Sequence, residues 1–171
     1  MTTTLIVPVP AAEPLVAGRR RRWDPSAMAG VPAHVTVLHP FKPIDGLTPA
    51  VLARLRQVCA MLPRFGFDLR RVGRFDGAVV YLAPEPAEPF RAMTRALAEH
   101  FPDCPPYGGV HADIVPHLTV AHTSSALALD RVATDLARRL NPGIYAEARA
   151  VTLLARSAGR WHPHSALPLG R

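Results

Sequence analysis

Two stretches of the chain share a six-residue pattern: HVTVLH at residues 34–39 and HLTVAH at residues 117–122. Each begins with His, has Thr and Val at its third and fourth positions, and ends with His. The apolar and β-branched residues predict a strand, in which alternate side chains share a face. The first His and the Thr of each copy therefore point the same way, and the residues between them point into the core. The copies lie about half a chain length apart, which indicates a duplicated unit.

The segments around each copy follow the same order of predicted elements, which is strand, helix and hairpin. Thr48 and Pro49 are start signals for an amphipathic helix, and Asp76-Gly77 predicts a hairpin turn. The predicted elements are a strand at 4–10, a short helical turn and loop at 11–32, a strand at 32–41, a helix at 48–62, a hairpin at 66–84, a helix at 86–101, a loop at 103–116, a strand at 117–123, a helix at 126–140 and a hairpin at 144–169.

This order predicts an α+β fold with two similar lobes, the first carrying HVTV at 34–37 and the second HLTV at 117–120. Each unit is too small to bury a face of its sheet alone, so the lobes are expected to pack together. Antiparallel sheets related by a pseudo-twofold axis would line a central cleft, with the helices outside. Since no linker separates the halves, residues 1–171 are predicted to form a single bilobal domain.

The predicted site consists of four residues: His34, Thr36, His117 and Thr119. Two imidazoles and two hydroxyls facing one ligand suit metal-free phosphodiester cleavage. One neutral histidine accepts a proton from the attacking water or hydroxyl, and the other, protonated, donates to the leaving oxygen. The hydroxyls would bind the phosphate oxygens as charge develops. A single copy would more commonly be a half-exposed surface strand, so the hypothesis depends on the pair.

The paired motifs resemble the signature of the two-histidine (2H) phosphoesterase superfamily, which includes bacterial 2′-5′ RNA ligase-like and cyclic phosphodiesterase proteins. That signature is two H-x-[ST]-x motifs, and the flanks VPAHVTVLHPF, VVYLAPEP and PHLTVA are also similar. The resemblance covers essentially the whole chain. It implies that His34 and His117 are the acid/base pair and that Thr36 and Thr119 bind the phosphate.

The resemblance further implies a phosphoric diester hydrolase that needs no metal or other cofactor. The expected substrate is a 2′,3′-cyclic phosphate of a nucleotide or RNA end, or ADP-ribose 1″,2″-cyclic phosphate. The alternatives are a 2H enzyme acting on cyclic di- or oligonucleotides or on RNA 2′-5′ linkages, and a non-catalytic module that binds RNA or nucleotides. The presence of both complete motifs argues against the binding module.

Composition favours an anionic partner. The chain has 20 Lys and Arg residues against 13 Asp and Glu, a net charge of +7 and a pI near 10.6. This balance suits nucleotides or RNA, which we expect to contact the basic surface. The two cysteines, Cys59 and Cys104, have no ligand-like spacing, so a cysteine-based zinc site or a disulfide framework is not expected.

Four further residues are candidates for the rim of the cleft: His39, His122, Trp23 and Tyr107. The two histidines close the repeated hexapeptides and fall on the opposite face of a regular strand or at its end. A four-histidine zinc site is disfavoured, because Thr occupies the middle of each motif and no HExxH is present. The RRRR run at residues 19–22 is either a solvated loop or a phosphate-tracking patch in which Trp23 stacks on a base.

The N-terminal sequence MTTTLIVPVP lacks a basic region and is interrupted by prolines, so no signal peptide is predicted. No apolar run approaches the roughly 20 residues of a membrane span. We therefore expect a cytoplasmic monomer without a membrane partner.

Overall fold

Strands and helices alternate along the chain of the computed structural model, which describes residues 2–171. The strands are β1 (Thr3–Pro8), β2 (His34–Leu38), β3 (Phe65–Phe75), β4 (Val79–Glu85), β5 (Leu118–His122), β6 (Ile144–Ala148), β7 (Ala150–Ser157) and β8 (Arg160–Pro168). The α-helices are α1 (Glu13–Trp23), α2 (Pro25–Met28), α3 (Pro49–Met61), α4 (Glu88–His100) and α5 (Ala126–Arg139). Short 3-10 turns lie at Pro10–Ala12, Ile44–Gly46 and Pro106–Gly109.

The strands of this described region form two four-stranded antiparallel sheets. The first sheet has the order β2-β1-β7-β8 and the second the order β5-β4-β3-β6. Each motif strand is thus the edge of its own sheet. The predicted α+β fold of two related lobes is confirmed.

Each hairpin joins the sheet of the other half of the chain. The prediction of two contiguous strand–helix–hairpin units did not include this exchange. The β3–β4 hairpin follows the first motif but pairs with β5, through partners such as Tyr81 and Thr119. The β7–β8 hairpin follows the second motif but pairs with β1, through partners such as Ile6 and Thr152. The order of elements was right, but each hairpin completes the sheet of the other motif.

The C-terminal segment 144–169 was predicted as one hairpin turning around Ala158-Gly159. The strands β7 and β8 form this hairpin, but the first part of the segment does not belong to it. A break at Arg149 separates β6, which pairs with β3 in the second sheet, from β7 and β8 in the first. The apolar alternation continues through the break, so the sequence carries no signal of the change of sheet.

The segment 11–32 was predicted as a short turn and loop, and this prediction is wrong. Eleven of its residues form α1, and three arginines of the RRRR run, Arg20 to Arg22, lie in the last turn of that helix. An arginine side chain near a helix C-terminus interacts favourably with the helix dipole. The helix was missed because its few apolar residues do not form a stripe at helical spacing.

The predicted helix at 48–62 is present as α3. The Thr48 hydroxyl accepts a hydrogen bond from the Val51 N–H at 3.2 Å, as an N-cap does. In the same way Ser125 caps α5 through the Ala128 N–H. These local signals explain why the starts of both helices were predicted closely.

The main apolar core is shared by both sheets and the helices. Val35 and Val37 of β2 are buried in it, and so are Leu118 and Val120 of β5. Burying these residues turns the histidine and threonine of each motif to the other face of its strand, as the alternation predicted.

No helix among residues 2–171 is both long and apolar enough to span a membrane.

Candidate active site

His34 is the first residue of β2, and His117 lies immediately before β5. Both histidines are half-buried, as are Thr36 and Thr119 two positions later. The neighbouring strand holds each motif in register: Pro8 and Ile6 of β1 pair with His34 and Thr36, and Tyr81 of β4 pairs with Thr119. The two halves therefore present the same pair of side chains at equivalent sheet edges.

Each motif imidazole is fixed by the same local contact. Nδ1 of His34 lies 2.7 Å from the Pro32 carbonyl oxygen, and Nδ1 of His117 lies 2.7 Å from the Val115 carbonyl oxygen. A carbonyl oxygen only accepts hydrogen bonds, so Nδ1 is the protonated nitrogen in both neutral rings. Nε2 of each ring is then the nitrogen that can exchange a proton with a ligand.

Electrostatics link the two imidazoles. Burial is the largest cause that lowers the pKa of His34, to about 4, and the Pro32 carbonyl opposes it. The charges of Arg20 and His117 also lower this pKa, whereas Asp24 raises it. Burial likewise lowers the pKa of His117, against the effect of its bonded carbonyl. Both imidazoles are therefore neutral at pH 7 in the free protein, and His117 is near enough to disfavour protonation of His34.

Aromatic rings surround His117. Phe75 and Tyr81 stack with their centroids 4.4 Å apart, and His117 meets both edge-on, at 4.9 and 5.6 Å. Gly73 makes room for this arrangement, because a Cβ there would overlap the Tyr81 ring. The sequence did not identify Phe75 and Tyr81 as site residues. Their hairpin follows the first motif in the sequence, but in the fold it pairs with the strand of the second motif.

A cavity of about 640 Å³ opens beside His117, between the β3–β4 turn and the loop 103–116. Phe75, Tyr107 and His111 are among its lining residues, whereas His34 is not. Tyr107 is half-buried and has a φ of 52°, in the left-handed region. The volume lies within the range of small-molecule sites. Tyr107, a predicted rim residue, thus lines the same cavity as His117.

The other three predicted rim residues do not line the cavity beside His117. His39 follows β2 and meets Trp161 of β8 edge-on at 6.2 Å, whereas His122 is exposed at the end of β5. Trp23 packs against the main core, and the Arg22 guanidinium lies 5.0 Å from its ring centroid.

The RRRR run is not uniformly solvated. Arg20 is buried, and its Nε and Nη2 donate to Asp24 Oδ2 at 3.0 and 2.8 Å. Asp24 also accepts from the backbone and hydroxyl of Ser26. Arg21 and Arg22 are exposed. The partner Asp24 lies four residues after Arg20, a spacing that the sequence shows, but the burial of the pair depends on how the fold covers it.

Within residues 2–171, no three His, Cys, Asp or Glu side chains are grouped as metal ligands would be.

Comparisons with known proteins agree with this geometry. The family model of the 2′-5′ RNA ligase superfamily matches residues 7–164. The protein TT0787 of Thermus thermophilus has a TM-score of 0.66 at 18% identity, over 99% of this chain and 98% of that one. E. coli LigT complexed with 3′-AMP has a TM-score of 0.63 at 17% identity, with the same coverage. These identities establish likeness of fold alone.

The search of curated proteins gave no significant match. The family model, however, spans most of the chain and both histidine motifs, and it supports a phosphodiesterase-type function. The chain therefore belongs to the 2′-5′ RNA ligase superfamily of two-histidine phosphoesterases.

Proposed function

We propose that the protein hydrolyses a cyclic phosphodiester on a nucleotide or RNA end, by acid/base catalysis from His34 and His117. The observation that carries this proposal is the matched pair of imidazoles. Both have Nδ1 bonded to a backbone carbonyl oxygen at 2.7 Å, and both keep Nε2 for proton transfer. In this mechanism Thr36 and Thr119 donate hydrogen bonds to the non-bridging phosphate oxygens.

Hydrolysis needs one neutral and one protonated imidazole. The free protein has lowered pKa values at both histidines, and a bound phosphate anion between them would raise both. Burial lowers the pKa of His34 to about 4, which favours its neutral form, so we assign it as the base that takes a proton from water. His117 takes up a proton as the anion binds, and it protonates the oxygen whose bond to phosphorus breaks. The product is a phosphate monoester, and the proton on His34 returns to solvent.

A nucleoside is the proposed group attached to the phosphate. The cavity beside His117 has a volume of about 640 Å³ and includes the rings of Phe75 and Tyr107, which suit stacking on a base. The net charge of +7 favours an anionic substrate. The substrate can therefore be a mononucleotide or the last residue of an RNA, with the remaining chain on the basic surface.

The test is turnover of a panel of cyclic substrates: nucleoside 2′,3′-cyclic phosphates, RNA with a cyclic end, and ADP-ribose 1″,2″-cyclic phosphate. His34→Ala and His117→Ala are each expected to lower kcat by about 10²–10⁴-fold, the usual contribution of a positioned acid or base. His164→Ala is the matched control, because His164 is an exposed histidine on β8. Unchanged turnover in either motif variant, or no turnover by the wild-type protein, would refute the proposal.

A further inference from the structure

Two arginines outside the candidate site bind the backbone just before the two histidines. Arg20 of α1 donates from Nη1 to the Val31 carbonyl oxygen at 3.2 Å. Arg91 of α4 donates from Nε to the Ile114 carbonyl oxygen at 3.0 Å. Each acceptor lies three residues before a motif histidine. Two helices of different sequence therefore make the same contact at the two halves of the site.

The next carbonyl along the chain is the one that fixes each imidazole. Pro32 and Val115 supply those carbonyl oxygens, each 2.7 Å from the histidine Nδ1. Adjacent planar peptide groups are joined through only two soft dihedral angles, so holding one carbonyl restricts the orientation of the next. Each arginine therefore acts on its imidazole through a single residue of backbone.

The first half holds this backbone by a second contact. Glu13 of α1 accepts a hydrogen bond from the Ala33 N–H at 2.6 Å. That N–H and the Pro32 carbonyl belong to one planar peptide group. Glu13 therefore binds the N–H of this group, and His34 binds its carbonyl oxygen. In the second half Pro116 occupies the corresponding position and has no N–H to donate. The arginine contact therefore matters more there.

We propose that Arg20 and Arg91 are positioning residues, which hold each motif imidazole as the Nδ1–H tautomer by binding the carbonyl three residues before it. The importance of that tautomer for catalysis rests on the proposed function, but the tautomer itself does not. Arg20 is 2% exposed and paired with Asp24, so its loss also threatens the fold. Arg91 is 38% exposed and lies 3.7 Å from Glu88, so it can be replaced without burying an unpaired charge.

The experiment compares Arg91→Ala with Arg91→Lys and with Arg95→Ala as a matched control. Arg95 lies one turn further along α4 and also pairs with Glu88, whereas the hydrogen bond to the loop before β5 comes from Arg91. Long-range ¹H–¹⁵N NMR spectra at pH 7.5 report the tautomer of each histidine, and a titration reports the pKa of His117. Turnover of the best cyclic substrate gives kcat and KM.

Arg91→Ala is expected to replace the single Nδ1–H tautomer of His117 by a mixture. The pKa of His117 falls as well, because the Val115 carbonyl now stabilises the protonated ring less well. We expect kcat to fall about 10- to 100-fold with little change in KM, as for a slightly misplaced catalytic group. Arg91→Lys recovers part of the tautomer signal and of kcat, since an ammonium group also donates to a carbonyl.

An unchanged His117 tautomer in Arg91→Ala, or an equal change in Arg95→Ala, would overturn the positioning role. A wild-type protein that turns over none of the substrates refutes the proposed function instead. The tautomer measurement then still decides whether Arg91 positions His117.

Discussion

Removing the Asp24 carboxylate tests how much the buried Arg20–Asp24 pair contributes to the stability of the fold. Asp24→Ala leaves the Arg20 guanidinium without its charge partner in the interior, where the two side chains are only 3% and 2% exposed. It also removes the acceptor for the Ser26 N–H, the N-terminal cap of α2. The buried charge is the larger of these two losses.

The expected loss of unfolding free energy is about 3–5 kcal/mol, the range found when one partner of a buried ion pair is removed. For a protein whose total stability is on the order of 5–15 kcal/mol, this is a large fraction. A chain of this length loses about 2–4 °C in Tm per kcal/mol, so Tm should fall by roughly 10 °C.

Equilibrium unfolding in urea measures this loss. Asp135→Ala is the matched control, because Asp135 pairs with Arg19 of the same helix but is 41% exposed, so its loss should be much smaller. Replacing both members of the buried pair, as Arg20→Met with Asp24→Leu, should restore most of the stability because no unpaired charge remains. If Asp24→Ala is no less stable than Asp135→Ala, the pair is not sealed from water and the reasoning fails.

Four further outcomes are expected. Between pH 6.5 and about 4 the free energy of unfolding should fall as pH falls. The reason is that His34 binds a proton in the unfolded chain over this range, whereas in the native protein its lowered pKa keeps it neutral. His34→Gln should therefore flatten the dependence of the unfolding free energy on pH, measured by urea titrations. Tyr107→Ala should raise KM for a nucleoside 2′,3′-cyclic phosphate with little effect on kcat. Tyr145→Ala should leave both unchanged, because Tyr145 is an exposed residue of β6 that does not line the cavity. Gly73→Ala should cost about 1–3 kcal/mol of stability through overlap with the neighbouring tyrosine ring, and Gly18→Ala, whose Cβ meets open space, should cost none. Excess chelator should leave turnover unchanged, and a zinc-dependent rate would contradict the mechanism.

Features that depend on neighbouring residues in sequence were predictable. Alternation along a strand fixes which side chains share a face. The six-residue motif was therefore enough to predict that Val35 and Val37 are buried and that His34 and Thr36 lie on the opposite face. The start of α3 followed from Thr48 in the same way, because an N-cap acts within one turn.

Features that depend on distant residues were not predictable. The sheet that each hairpin joins is decided by strands that meet only after folding, so the approach of Phe75 to His117 was missed. The contacts of Arg20 and Arg91 with backbone carbonyls have no sequence pattern either, since each spans a helix and a loop. The motif thus identified the histidines, whereas the residues around them could be identified only from the fold.

The exchange of hairpins also determines the order in which the protein can assemble on the ribosome. The second sheet consists of β3, β4, β5 and β6 and is complete once residue 148 has emerged. The first sheet contains the earliest strands, β1 and β2, but needs β7 and β8, which are synthesised after all the others. The strands of the second sheet can therefore all pair during translation, whereas the first sheet and the core that the two sheets share must wait for β7 and β8. A chain released before β7 is made would carry both motifs but the strands of only one complete sheet.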